Sequence, residues 1–196
     1  MPRGDHDTPG RPSGSDMRAK QDPKARMGVF KTLADVPDRY RLSNYADQFR
    51  GEDTWTWYLT LRHDGTVNQA QGQLGKARAG EIERCGRYFK DFMHRERGTH
   101  HALATPADIE AFLSAVKDGY KNPTKQPRSI TTIYDTYFAP VNRFYNWLQM
   151  WVDFPHRYHP VLMTCANSGV ARECWNYRMD KADRQFDKNH GGKDVK

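Results

Sequence analysis

The chain has 196 residues, 37% apolar and 12% aromatic, and a net charge of +7. Apolar content below the usual ~45–50% leaves part of the chain outside any packed core, yet the aromatics suffice to build one. No run approaches the ~18 consecutive apolar residues of a membrane span and no apolar stretch opens the chain, so neither a membrane helix nor a secretory leader is expected. The positive balance favours polyanionic partners, nucleic acid first. The charge is spread evenly along the chain, so any basic patch must be assembled by folding. Three cysteines, Cys85, Cys165 and Cys174, form no CxxC pair and suit free thiols in a reducing cytosol.

Residues 1–28 are almost devoid of apolar side chains and read as a disordered arm. Pro37 opens a short helix over 37–50 with Leu42, Tyr45, Ala46 and Phe49 on one face, closed by Gly51. Asp53 and Thr54 offer a cap before 55–62, where Trp55, Tyr58 and Leu59 read as a helix face and the alternation of Trp55, Trp57, Leu59 and Leu61 as a strand; the helix is the preferred reading. His63, Asp64 and Gly65 signal a turn, and 66–80 read as a polar loop. From Glu81 a helix aligns Ile82, Cys85, Phe89, Phe92 and Met93 and stops before Gly98. Thr105, Pro106 and Asp108 make a capped start for a helix that buries Ile109, Phe112, Leu113 and Val116 and ends at Gly119.

A polar connection with Pro123 and Pro127 leads to Ser129, which caps the longest helix. Its apolar face runs Ile130, Ile133, Tyr134, Tyr137, Phe138, Val141, Phe144, Tyr145 and Leu148, about five turns. This stripe is core, and Pro140 within it predicts a kink. A loop over 153–160 precedes a last helical stretch around Ala171 to Met179, and the tail from Lys188 is polar.

Cations gather in two places. Lys121, Lys125 and Arg128 precede the helix start at Ser129, Thr131 and Thr132, where free N–H groups, the helix dipole and hydroxyls favour a phosphate. The alternative is a plain N-cap with solvated lysines. Arg84, Arg87 and Lys90 form a second row on the helix from Glu81, which reads equally as a solvated face. Arg143 reaches either DNA or a helix neighbour. His156, His159, Cys165 and Cys174 are zinc-competent, but their spacing fits no common finger, so they read as loop and core residues. No nucleophile motif, phosphate loop or carboxylate pair points to an enzyme, and no cofactor is expected.

The order of these parts resembles the core-binding domain of tyrosine recombinases, the phage-integrase type. The resemblance rests on the pair Phe89 and Phe92, on the capped run from Thr105 to Leu113, on Ser129 to Ile133, on the cluster from Arg143 to Trp147, and on His159-Pro160. It covers residues 81–165, with 40–62 a weaker match, and 162–175 is similar to the connector that precedes catalysis in such enzymes. It implies an all-α fold: a small orthogonal, SAM-like helical bundle with a disordered N-terminal arm and a polar C-terminal tail. The expected divisions are an arm over 1–28, a helical lead-in and loop over 37–80, the bundle over 81–165, and a connector helix and tail over 166–196. It further implies double-stranded DNA as partner, alongside a catalytic recombinase domain or other integrase protomers, at a cytoplasmic nucleoid and not at a membrane. Only 36 residues follow Pro160, so the expectation is a binder without the family's catalytic residues. His94 and Arg97 match the family's His-x-x-Arg but lie upstream of where it belongs and read as a solvated helix end. The rival expectation is a helical protein-interaction module, which an exposed apolar patch would mark.

Overall fold

The computed structural model describes residues 22–63, 76–124 and 126–190. Among them the fold is all-α, with seven α-helices and no strand. The helices are α1 (Thr54–His63), α2 (Lys76–Phe92), α3 (Pro106–Lys117), α4 (Ile130–Ile133), α5 (Ala139–Met150), α6 (Pro160–Cys165) and α7 (Val170–His190). No described helix is long and apolar enough to cross a membrane.

Local chemistry sets most helix ends. Asp53 caps α1 by accepting from the Thr56 N–H at 3.1 Å. Thr105 and Asp108 close a reciprocal capping box on α3, with Pro106 at its first position. Ser129 Oγ accepts from the Thr132 N–H at 3.3 Å and starts α4. A π turn (Met93–Arg97) ends α2 at Gly98, whose φ of 62° suits glycine. The disturbance expected at Pro140 takes the form of a second π turn (Tyr134–Phe138) joining α4 to α5. The wider turn accommodates a residue that lacks an N–H and whose ring crowds the carbonyl four residues back.

One core runs from Met27 to Met179. Its centre is aromatic: Trp55 lies 4.7 Å from Phe144 and 6.2 Å from Phe89, and Phe89 lies 4.9 Å from Phe112, centroid to centroid. Gly86 makes the α1–α2 approach possible, because a Cβ there would sit 2.1 Å from the Trp55 indole nitrogen. The helix from Glu81, the Thr105 helix and the Ser129 helix all bury the faces expected of them.

Several expected boundaries move. The arm expected over 1–28 is packed chain from Asp22 onward: Pro23 is buried, and the Arg26 guanidinium lies over the Trp175 ring at 5.2 Å. Residues 1–21 lie outside the described residues, as do 64–75 of the expected turn and loop. Residues 76–80 are helical, so α2 starts five residues early. The stretch over 37–50 is two 3-10 helices (Asp38–Tyr40 and Leu42–Phe49), the second kinked at Tyr45, and Ala46 just after the kink is exposed while Leu42 and Phe49 are buried. Part of the loop before the last helix is α6, capped by His159, and α7 continues to His190. Lead-in, bundle and connector share one core rather than standing as separate units. Glu110 of α3 ties the last helix in, its two carboxylate oxygens accepting from the N–H groups of Val170 at 2.6 Å and Ala171 at 3.1 Å.

Candidate nucleic-acid interface

Folding brings part of the two cation groups together. Arg84, Arg87, Tyr88 and Asp91 of α2 and Arg95 of the π turn that follows share a face. The loop after α3 closes over this face. Lys121 adopts a left-handed φ of 54°, and its carbonyl accepts from the Tyr88 hydroxyl at 3.3 Å. Its ammonium pairs with Asp91 at 2.8 Å, and Arg95 takes the other Asp91 oxygen at 2.7 Å. The Tyr120 hydroxyl also donates to Asp91, at 2.7 Å. The Lys121 contact, then the Tyr120 one, holds Asp91 below its ordinary carboxylate pKa, while burial and then Asp91 push the Tyr120 hydroxyl up.

Tyr137 links this face to the start of α4. The Tyr88 ring stacks on it at 6.2 Å, and the Arg128 guanidinium lies over it at 5.4 Å. Burial raises the Tyr137 hydroxyl pKa, and the charges of Arg128 and Arg84 both oppose that rise. Arg128 also donates to the Val116 carbonyl at 2.6 Å, which closes the end of α3. Ser129 and Thr132 bond to one another at 3.0 Å, and Thr131 is exposed beside them. Arg84 and Arg87 are exposed and pair with no described carboxylate. The face therefore presents Arg84, Arg87, Arg95, Lys121 and Arg128 around Asp91, with Glu83 and Glu96 at its margins.

Three expected site residues fall elsewhere. Lys90 is turned away, with its ammonium 2.6 Å from Asp53 on the α1 side. Burial works to raise the Asp53 pKa, but bonds from Lys90 and Thr56 outweigh it and leave it lowered. The reason is rotation: a second step of three residues carries position 90 well off the Arg84 face. Arg143 is exposed on α5 and engaged in a contact of its own. Lys125 lies outside the described residues. Arg95, Tyr88 and Tyr120 were not singled out from the sequence. The first two were legible as the continuation of the Arg84–Arg87–Asp91 face, whereas Tyr120 shows its role only through Asp91.

Two other clusters have their chemistry occupied. His156 Nε2 lies 2.7 Å from the Ala102 carbonyl, His159 caps α6, and Cys165 Sγ lies 3.5 Å from the Ala171 carbonyl. Among the described residues no three His, Cys, Asp or Glu side chains converge as a metal site would need. A cleft of about 620 Å³ opens beside Asp53, Lys90 and His100. There Lys90 and Asp53 pair with each other, and His100 uses both nitrogens, on the Ala102 N–H and the Glu52 carbonyl. Arg97 pairs with Asp108 at 3.3 Å, so the His94 and Arg97 pattern is the rim of this cleft and the brace of the α3 cap.

No family model, curated protein or solved structure matches this chain.

Proposed function

We propose that the α2 face binds the phosphate backbone of double-stranded DNA, as a binding module without catalytic residues of its own. The part fits the core-binding half of a tyrosine recombinase, acting in DNA integration or site-specific recombination beside a catalytic domain. The observation that carries this reading is the cation excess around Asp91, in which Arg84 and Arg87 stand exposed with no carboxylate partner. Lys121 and Arg95 share one carboxylate and can turn to a phosphate at small cost, because exposed ion pairs contribute only about 0–1 kcal/mol. Rigid anchoring of Arg128 and Lys121 at helix ends limits the entropy lost on binding.

Gel-shift measurements at about 50 mM salt with a 30-bp duplex test this. Binding in the ~1–100 µM range of nonspecific contacts is expected, with higher affinity if a core site is included. Arg84→Gln with Arg87→Gln should weaken it several-fold at unchanged fold. An absence of binding to any duplex at that salt would refute the reading.

The rival, a protein-interaction surface, has its own mark. Trp57, Met150, Trp151 and Val152 are exposed together at the end of α5 and on α1, away from the cations of α2. The two surfaces do not exclude one another.

A further inference from the structure

The end of α5 and the middle of α1 enclose a groove of about 410 Å³, lined by Trp57, Thr60, Trp147, Trp151, Asp153 and Phe154. Trp147 forms its floor, with Trp151 at 6.3 Å and 63° and Phe154 at 5.4 Å and 58° between ring centroids and planes. Trp57 forms the opposite wall and is in ring contact with none of these three. Three indoles and a phenyl ring thus line one space, with Trp151 and Phe154 steeply inclined to Trp147.

Charge separates this groove from the other aromatic sites. Elsewhere several partly exposed rings carry one of the protein's own cations: Arg39 over Tyr40, Lys121 over Tyr120, and Lys181 over Tyr134 and Tyr177. No such cation lies over Trp57, Trp147, Trp151 or Phe154, and the groove's charged lining residue is a carboxylate, Asp153, with no ion pair to a described residue. In a chain of net charge +7 this aromatic concavity has no cation among its lining residues and an anion at its edge. Ring faces carry negative potential, and inclined indoles around a carboxylate suit a weakly hydrated organic cation, which loses little solvation on entry.

We propose that this groove is an aromatic cage for a trimethylated lysine side chain presented by a partner polypeptide. The openness of the site selects that source. Trp57 is 44% exposed and Trp151 41%, so a small free solute would remain wet on one side. A lysine arriving on a partner is covered on that side by its own chain, and exposed Met150 and Val152 offer that chain an apolar ledge. The site does not depend on the DNA-binding reading.

The test is titration of the full chain, followed by tryptophan fluorescence and calorimetry, with a short peptide carrying trimethyl-lysine. The same peptide with unmodified lysine, the same peptide with the neutral tert-butyl isostere, and tetramethylammonium chloride are the comparisons. The trimethyl-lysine peptide should bind at least ~5-fold tighter than the neutral isostere, the range expected of a cation over exposed rings. It should also exceed tetramethylammonium. Trp57→Ala and Trp151→Ala should each abolish the difference between charged and neutral peptides, Trp57→Phe should keep part of it, and Asp153→Asn should weaken the charged peptide alone. Arg84→Gln should change none of these. Circular dichroism confirms that each variant is folded, and Trp57→Phe and Asp153→Asn leave the test standing if an alanine variant is not. Equal binding of the neutral isostere would overturn the proposal, as would tetramethylammonium matching the peptide, or no saturable binding of the trimethyl-lysine peptide up to about 10 mM.

Discussion

Three buried histidines, His101, His156 and His159, show how single residues set the conditions under which the fold holds. His101 and His159 are depressed by burial, His159 to about 3, and burial takes His156 to about 4. His156 Nδ1 is buried without a partner, so a proton added there would meet no acceptor. These rings stay neutral in the folded chain, while the unfolded chain protonates them below about 6.5. Stability is therefore full above pH 6.5 and is lost as pH falls toward 4, by up to about 1.4 kcal/mol per pH unit for each such histidine. Asp53 and Asp91, with lowered values, lose their contribution only below the carboxylate range. Urea midpoints should thus drop between pH 7 and pH 5, and His156→Gln should flatten that drop. A midpoint constant over this range would refute the neutral, buried assignment. Gly86 is the second residue-scale case. Gly86→Ala improves helix propensity by about 1 kcal/mol, but the added Cβ must displace a Trp55 ring held by Tyr58, Phe89 and Phe144. A net loss of about 1–3 kcal/mol is expected in urea unfolding, and a stabilised variant would show that α1 and α2 pack more loosely than described.

Elements whose ends are closed by their own residues were legible in the sequence. Thr105, Pro106 and Asp108 announce α3, Ser129 announces α4, and period-3.6 apolar faces announce the long helices. What escaped lacks such local signals. The 3-10 helices and six-residue α6 are too short for periodicity to speak, although His159 and Pro160 were a visible start. The middle of α7 is held by tertiary contacts: Lys181 pairs with Asp135 at 3.4 Å and lies over the Tyr134 ring. Its start is capped from another helix by Glu110, a relation sixty residues apart that no spacing rule reveals. Glu110→Ala should cost about 1–2 kcal/mol, because it leaves two N–H groups at the start of α7 without their acceptor. Hydrogen exchange should show faster exchange first at Val170 and Ala171. Protection unchanged there would refute the cap.

At the scale of the molecule, an even distribution of charge along the chain becomes uneven on the surface. The single core from Met27 to Met179 turns the Arg84 face of α2 and the loop after α3 to one side, and the Trp57 and Trp151 groove to another. The sequence singled out Arg84, Arg87, Lys121 and Arg128 as candidate cations, and folding brings them toward one side. It could not rank them, because Asp91 and Asp53 select among them through contacts made only on folding. That selection makes the central claim testable. Fluorescence anisotropy of a labelled duplex, measured from 50 to 200 mM salt, gives the slope of log affinity against log salt. Removing two phosphate contacts by Arg84→Gln with Arg87→Gln should flatten that slope by about 2, whereas Lys90→Gln, whose ammonium faces Asp53, should leave it unchanged. A slope unaltered by the double arginine variant, or altered as much by Lys90→Gln, would contradict a phosphate-binding face on α2.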